Sequence, residues 1–202
     1  MNMTALASAI FAASILVIVT PAYAQDDQPF NGPWVGATAG YDTFSSGGDE
    51  DDSSEDGIAY GIALGYDVNL GNVVVGVEAE LSDSSVSASA ADVLETGDLL
   101  TLSAGRDIYA GVRVGVPVTE SLMVYAKGGY SNQRFTATYS MDDLVEAESG
   151  NTDGWRVGGG IEYDLGQPFA RLEYRYSDYG SFSDTDFETS RHQVMLTAGL
   201  RF

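Results

Sequence analysis

Apolar and polar residues alternate along most of the chain. In the segment 73–81 every odd position is apolar, whereas the even positions include Glu78 and Glu80. In 155–163 the odd positions are again mostly apolar, and Arg156 occupies an even one. Because successive side chains of a β-strand point to opposite sides, each of these strands has one apolar face and one face of glycine and charged residues. The pattern therefore predicts an all-β protein.

The alternation predicts eight strands, which are separated by connections of two kinds. Three connections are short and contain Gly, Pro or Asn, which favours tight turns. The other four, at 45–56, 83–105, 139–153 and 179–190, are long, polar and acidic. Short turns at one end and long loops at the other are typical of an eight-stranded, antiparallel, up-and-down transmembrane β-barrel. The predicted strands are 33–44, 57–68, 73–82, 106–116, 122–133, 154–164, 169–178 and 191–202.

The aromatic residues indicate which face of the strands is turned outward. In water an apolar face must be hidden, but in lipid it must be displayed. Aromatic residues on the apolar faces fall at two levels, which matches the girdles that flank an apolar band about 25 Å tall. We therefore expect lipid contact, and a soluble, lipocalin-like ligand-binding barrel is the alternative. These residues are Tyr41, Tyr60, Tyr130, Trp155 and Tyr176 near the loop ends, and Tyr66, Tyr163 and Phe202 near the turn ends.

The amino-terminal residues have the features of a secretory signal peptide. Residues 5–19 form an apolar stretch that is too short to span a bilayer comfortably. Ala22 and Ala24 then supply the small residues of a cleavage site, and we expect cleavage after Ala24. The predicted organisation is a signal peptide at 1–24, followed by a single barrel domain at 25–202.

Composition argues against several classes of function. The formal net charge of −21 lies mostly between the predicted strands, so nucleic acid is not an expected partner. The chain contains no cysteine, which removes both a disulfide framework and a thiolate metal site. Its 24 glycines and 12 tyrosines, with only 5 prolines, are typical of a sheet-rich chain.

Three segments resemble small Gram-negative outer-membrane β-barrels. Residues 32–41 (GPWVGATAGY) resemble the first strand of these proteins, and residues 75–81 (VGVEAEL) resemble strand three. Residues 194–202 (VMLTAGLRF) resemble the terminal insertion signal of the family, in which apolar residues such as Leu200 alternate up to a carboxy-terminal Phe202. The resemblance extends to the OmpA-like transmembrane domain and to opacity-type proteins, and it covers essentially the whole mature chain.

The resemblance implies a location in the outer membrane and folding by the barrel assembly machinery. It also implies contact with outer-membrane lipid and lipopolysaccharide. We expect a monomer without a cofactor. Because the chain stops at the barrel, no periplasmic peptidoglycan-binding domain can be inferred.

The charged faces of the strands predict a cluster of ionisable side chains inside the barrel. Side chains just fill the interior of an eight-stranded barrel, so these groups should meet one another. Burial of so many charges is tolerable only if they pair and share hydrogen bonds. The predicted interior residues, which include six of the nine Lys and Arg residues of the chain, are Glu78, Glu80, Arg113, Lys127, Arg156, Glu162, Arg171, Glu173, Arg175 and Arg201.

Two interpretations of this cluster are open. One is a structural core made of ion pairs, which we favour. The other is a gate, because a similar cluster plugs the lumen of OmpA-like barrels, and it would make the protein a narrow channel for small solutes or ions. The positions that match those barrels by strand and facing are Glu78 or Glu80, Arg113, Glu162 and Arg171.

Two other features suggest different functions. The acidic segment 49–56 offers oxygen ligands for a divalent cation, but it lacks the ligand spacing of an EF-hand, so a solvated loop is the simpler interpretation. His192 follows Ser190 closely, which makes the site of a lipid A esterase or an outer-membrane protease conceivable. Catalytic groups usually converge from different strands, however, so we expect a solvated histidine. The acids considered for this triad are Asp184, Asp186 and Glu188.

The glycine run 158–160 lies inside an alternating strand and is not followed by the Lys-Ser/Thr of a phosphate-binding loop, so we expect close packing or a bulge there. No catalytic, cofactor-binding or metal-ligating residue is predicted. The sequence thus predicts a non-enzymatic outer-membrane barrel that displays four acidic loops.

Overall fold

The computed structural model describes residues 28–46, 53–91, 98–141, 144–179 and 189–202, and its regular structure is entirely β. None of these residues belongs to a helix that is long and apolar enough to cross a membrane. The predicted signal peptide, with Ala22 and Ala24, lies outside the described residues. The strands are β1 (Gly32–Ser46), β2 (Ser53–Asn69), β3 (Val74–Ser84), β4 (Ser87–Ala91), β5 (Leu99–Pro117), β6 (Leu122–Met141), β7 (Leu144–Asp164), β8 (Pro168–Tyr179) and β9 (Thr189–Arg201).

Eight of these strands close into an antiparallel, up-and-down barrel. Each pairs with its neighbours in the sheet, and the ring is completed where β1 pairs with β9 and β3 pairs with β5. The additional strand, β4, pairs with β5 outside the closed ring. The predicted fold class is therefore confirmed, with one extra short strand.

The alternation of the sequence places charge inside and apolar side chains outside. In β3 buried and exposed residues alternate strictly. Glu78 and Glu80 are buried there, whereas the side chain of Val77 is 57% exposed. On the neighbouring strands Ile62 and Val112 are exposed to the same extent. This arrangement is the reverse of a soluble ligand-binding barrel, and it suits a barrel whose outer face is solvated by lipid.

The predicted strands are correct to within one residue at the short-turn end but too short at the other end. In the segment 139–153, predicted as a loop, residues 139–141 and 144–153 form the paired upper part of β6 and β7. The predicted loop 83–105 contains β4 and the first residues of β5. The sequence criterion for a strand was an apolar outward face, which is required only in lipid. Beyond the lipid, backbone hydrogen bonds continue between strands that carry polar residues on both faces.

A bulge in β5 changes which residues face the interior. The pairing with β6 shifts between Ala104 and Asp107, so that Gly105 and Arg106 together lie opposite a single residue of β6. Below the bulge the odd residues of β5, such as Asp107, are buried, whereas above it Ala104 is buried. An extra residue reverses the side-chain alternation of the strand that carries it.

The glycine run 158–160 is in continuous register with both neighbouring strands, so it forms no bulge. A Cβ atom on Gly160 would collide with the carbonyl oxygen of Leu172. Close packing, one of the two expected roles, therefore explains this glycine.

Candidate functional site

The ten predicted interior residues all lie in the lumen of the barrel. They are contributed by strands β3, β5, β6, β7, β8 and β9, and none is more than 6% exposed. They lie there because each occupies one of the alternate positions of its strand whose side chains point into the barrel. Their side chains fill the barrel and form one ion-pair network, which we call the lumen network.

Four members of the lumen network were missed by the sequence analysis, namely Asp42, Asp67, Asp107 and Arg191, which are at most 1% exposed. The alternation could have identified them, because each is in the inward phase of its strand. All four lie near the ends of predicted strands, where a polar residue is as compatible with a loop as with the inward face of a strand.

The layer of the network nearest the short turns is built on two carboxylates. Glu162 accepts hydrogen bonds from Arg113 Nη1 at 2.8 Å, from Arg171 Nη2 at 2.7 Å and from Arg201 Nη2 at 2.6 Å. Asp67 accepts from Arg113 Nε at 2.7 Å and from Arg201 Nη1 at 2.8 Å. Each carboxylate is thus shared by more than one guanidinium, which satisfies its lone pairs inside the barrel.

The middle layer centres on Lys127. Its Nζ lies 2.6 Å from Glu78 Oε1 and 2.8 Å from Glu173 Oε1. Arg175 pairs with Glu173 and also donates from Nη1 to Glu80 Oε1 at 2.6 Å. This layer is linked to the first, because Nη1 of Arg171, from the turn-end layer, lies 3.6 Å from Glu78 Oε2.

The outer layer, nearest the long connections, contains three of the four missed residues. Arg191 donates from Nε and Nη2 to the two oxygens of Asp42, at 2.8 and 2.6 Å. Its Nη1 lies 2.7 Å from Asp107 Oδ2. Arg156 also pairs with Asp107 and reaches towards Glu80 in the middle layer, with Nη1 3.9 Å from Oε1. The three layers therefore form one connected network.

The lumen network is electrically balanced. Seven bases face seven carboxylates, so the whole net charge of −21 comes from residues outside the network. Aromatic rings support the bases: Arg171 lies 4.4 Å from the ring centroid of Trp34, and Lys127 lies 4.7 Å from that of Tyr109. Such a core tolerates burial because the charges are paired, hydrogen-bonded and stacked on rings, and none is left alone.

The turn end of the lumen is closed by residues that precede β1. Phe30 is fully buried and packs against Val74, Met123 and Tyr125. Its backbone N–H donates to Asp164 Oδ2 at 3.1 Å. The side chain of Asn69 holds the same segment by donating to the carbonyl oxygen of Pro29 at 2.7 Å. The structure thus places an apolar side chain below the ion pairs, which the sequence analysis did not predict.

The predicted interface aromatics lie on the outer surface. Seven of the eight are about half exposed, and Tyr176 is less exposed because it packs against Trp155, with ring centroids 5.5 Å apart. Tyr174, which was not predicted, also lies on this surface. Register places Tyr130 beside Trp155 at the loop end, and Tyr66 beside Pro33 at the turn end.

Two aspartates lie just beyond the outer level of aromatic residues and accept hydrogen bonds from it. A hydrogen bond from Tyr130, with a second from Asn132, holds the pKa of Asp153 below its usual range. A hydrogen bond from Tyr41, followed by one from Thr43, lowers the pKa of Asp56 in the same way.

His192 does not lie in a catalytic arrangement in the described part of the chain. Its Nδ1 lies 2.7 Å from the hydroxyl oxygen of Tyr174, and its ring packs against Tyr176 on the outer surface. It is therefore packed among aromatic neighbours on the outer surface, and the expectation of a solvated histidine without a catalytic role stays a prediction. The acids Asp184, Asp186 and Glu188 lie outside the described residues.

The acidic segment 49–56 is described only from residue 53 onward. Among the residues that the structure describes, no three His, Cys, Asp or Glu side chains are grouped so that they could hold a metal ion.

A closed antiparallel barrel with an apolar outer face, aromatic residues at both ends of that face and a charged interior defines a transmembrane barrel of the outer-membrane type. Residues 10–202 match the model of the outer membrane protein beta-barrel domain family, and the chain belongs to this family. The protein is therefore an outer-membrane β-barrel located in the cell outer membrane. The lipocalin-like alternative is excluded.

Known proteins of similar sequence and structure agree with this assignment. The 31 kDa outer-membrane immunogenic protein of Brucella melitensis is 30% identical over 198 residues, which cover 82% of this chain and 78% of the relative. Neisserial surface protein A has a TM-score of 0.57 at 16% identity, covering 85% of this chain and 98% of that chain. Ail, the attachment invasion locus protein of Yersinia pestis, has a TM-score of 0.51 at 14% identity, covering 85% and 99%. The two structures share the fold of this chain.

Proposed function

We propose that the protein is a non-enzymatic, non-conducting barrel that stabilises the envelope and displays acidic outer strands and loops. The observation that carries the proposal is the lumen network. Seven ion-paired bases and seven carboxylates occupy an interior that side chains just fill. A water-filled path would require several of these pairs to separate at once, and each separation would leave a buried charge uncompensated.

Conductance in planar lipid bilayers tests the absence of a pore. We expect no discrete conductance steps from the folded wild-type protein. A variant in which Arg113, Glu162, Arg171 and Glu173 are all replaced by alanine serves as the positive control, because it removes three side chains of the turn-end layer and one of the middle layer. Regular steps from the wild-type protein, with a size that depends on solute, would establish the channel alternative instead.

Display at the cell surface is supported by the extension of β5, β6 and β7 beyond the predicted lipid band. The Brucella relative is named as an immunogenic outer-membrane protein. Protease treatment of intact cells should cleave this chain in its acidic connections and leave the barrel core protected. Cleavage only after the outer membrane is permeabilised would contradict the proposed display.

The proposed partners follow from the charge of the exterior and from the residues at the end of the last strand. The exterior is acidic, so association with anionic lipopolysaccharide should require bridging divalent cations, and a chelator should weaken it.

Assembly is proposed to depend on the barrel assembly machinery, which would recognise the terminal Leu200 and Phe202. Phe202→Ala should then lower the amount of folded barrel in the outer membrane without changing the expression of the precursor. We propose a monomer, which light scattering of the folded protein tests.

A further inference from the structure

An apolar cavity of about 770 Å³ opens at the loop end of the barrel, above the lumen network. Its floor includes Phe44, Val86 and Ala104, which are buried together. Phe135 packs edge-on against Phe44, with ring centroids 6.0 Å apart. The volume lies within the range of pockets that bind small molecules. The residues that line the cavity are distinct from those of the lumen network, and Phe44, which is one of them, lies against Arg191 of the network.

The bulge in β5 gives this cavity its apolar wall. Because the extra residue reverses the alternation, Leu100, Leu102 and Ala104 line the cavity. Without the bulge, Thr101 and Ser103 would face inward at the same height, and the wall would be polar. A bulge that re-aims side chains beside a cavity is a device that proteins use at binding sites.

The remaining walls are also built from residues beyond the predicted lipid band. Strand β4 contributes Ala88 and Ala90, and β6 and β7 contribute Ala137 and Gly150. These small side chains keep the space open. The strand extensions that the sequence analysis mistook for loops are therefore the elements that enclose the cavity.

The charge around the cavity selects one sign of ligand. Its lining contains two ionisable side chains, Glu55 and Glu148, and no base. Arg191 lies 4.7 Å from the ring centroid of Phe44, but its charge is already balanced by carboxylates of the lumen network. Fixed negative charge around an apolar recess favours cations.

We infer that this cavity binds small organic cations with an apolar, aromatic or alkyl body. The body would lie between Phe44, Phe135 and Leu102, and the cationic group would lie at the rim beside Glu55 and Glu148. Such a site is independent of conduction through the lumen, because the ligand enters and leaves from the outside.

A matched pair of naphthalene compounds tests the inference. The full-length folded protein, in nanodiscs of zwitterionic phosphatidylcholine, is titrated calorimetrically with 1-naphthylmethylammonium and separately with 1-naphthoate. Empty nanodiscs are titrated in parallel, so that partition into lipid can be subtracted. We expect saturable binding of the cation and binding of the anion that is weaker by about tenfold or more. Replacing both Glu55 and Glu148 by Gln should remove most of this preference.

Two arginine variants separate the cavity from the rest of the surface. Leu102→Arg places a base inside the cavity, whereas Leu99→Arg places it on the opposite face of the same strand, where the wild-type side chain is similarly exposed (48% for Leu102 and 41% for Leu99). We expect the first variant to abolish cation binding and the second to retain it. The inference would be overturned if both variants lost binding or both retained it. It would also be overturned if anion and cation bound equally, or if the heats were no larger than those of empty nanodiscs.

Discussion

At the scale of single residues, the stability of the barrel interior depends on sharing. Glu162 is bound by three guanidinium groups, and Asp67 is bound by two. A carboxylate that loses one of several partners remains paired, but it accepts fewer hydrogen bonds and is less firmly positioned. The same sharing means that every base of the network compensates more than one acid, so the loss of one base has consequences in several places.

Arg113 provides the clearest test of this sharing. Arg113→Ala removes hydrogen bonds from both Asp67 and Glu162, each of which is fully buried. We expect the free energy of unfolding to fall by about 3–5 kcal/mol, because six bases would then face seven buried carboxylates and one negative charge would be uncompensated. Denaturant titration of the lipid-reconstituted protein measures the change. Arg134→Ala is the matched control, because Arg134 is exposed on the outer surface, and equal losses in the two variants would contradict a stabilising network.

The hydrogen bond from Tyr130 to Asp153 gives a pH-dependent signal outside the membrane-spanning part of β7. The folded pKa of Asp153 is depressed, so the stabilisation that it contributes is complete above its unfolded pKa and is lost as the pH falls through the folded one. Tyr130→Phe should raise the pKa of Asp153 towards its usual range, as measured by NMR titration of the carboxyl group. Tyr174→Phe is the control, since Tyr174 is bound to His192. An unchanged titration in Tyr130→Phe would show that the bond is not the cause.

At the scale of strands, the alternation of apolar and polar residues is required within the lipid band but not beyond it. Within the lipid band one face must be apolar, and the exposed Val, Ile and Leu residues of β2, β3 and β5 meet this requirement. Beyond it, both faces of β6 and β7 carry polar residues while the backbone pairing continues unchanged. The bulge in β5 marks the transition, since the strand changes there from a charged inner face to an apolar one.

The depth of a residue should therefore decide the cost of placing a charge on the outer surface. Val112 and Val118 are exposed to a similar degree, 57% and 60%, but Val112 lies in the middle of the apolar face of β5 and Val118 lies in a short turn. Val112→Arg should lower the stability in lipid by about 2–4 kcal/mol, whereas Val118→Arg should have an effect of about 1 kcal/mol or less. Reversible unfolding from phosphatidylcholine vesicles compares the two. Similar effects would mean that lipid does not cover the face that carries Val112.

At the scale of the whole molecule, the lumen is closed at three heights. Phe30 lies at the turn end, the lumen network fills the centre, and the cluster of Phe44, Val86, Ala104 and Tyr179 lies above it. The lumen network is neutral, while residues outside it carry the net charge. The molecule thus combines a sealed core with an acidic surface, which is the arrangement expected of an anchor for displayed segments.

The contribution of the turn-end closure can be separated from that of the ion pairs. Phe30→Ala should lower the free energy of unfolding by about 3–5 kcal/mol, because it empties a fully buried site. It should not create conductance, since the lumen network remains in place. Leu70→Ala is the control at the same end, where Leu70 is 68% exposed and should tolerate the change. Conductance steps in Phe30→Ala would show that Phe30, and not the network, seals the barrel.

Much of this structure could be derived from the sequence, because alternation is a local property. It assigned Glu78 and Glu80 to the interior and Val77 to the exterior, and it located the strand ends at the short turns to within one residue. It failed at the other ends of the strands, where the apolar outward face on which the prediction relied is no longer required.

The sequence by itself determined the fold class, the outward face and most of the residues that enter the lumen, since each follows from the chemistry of one strand at a time. Only the tertiary structure decided the pairing. Arg191 meets Asp42 at a separation of 149 residues, and that contact exists only because β1 and β9 close the ring. The apolar wall of the cavity above the network likewise depends on a single extra residue in β5. That residue is recognised as extra only when β5 is paired with β6. Such contacts need a closed barrel, and no local pattern specifies them.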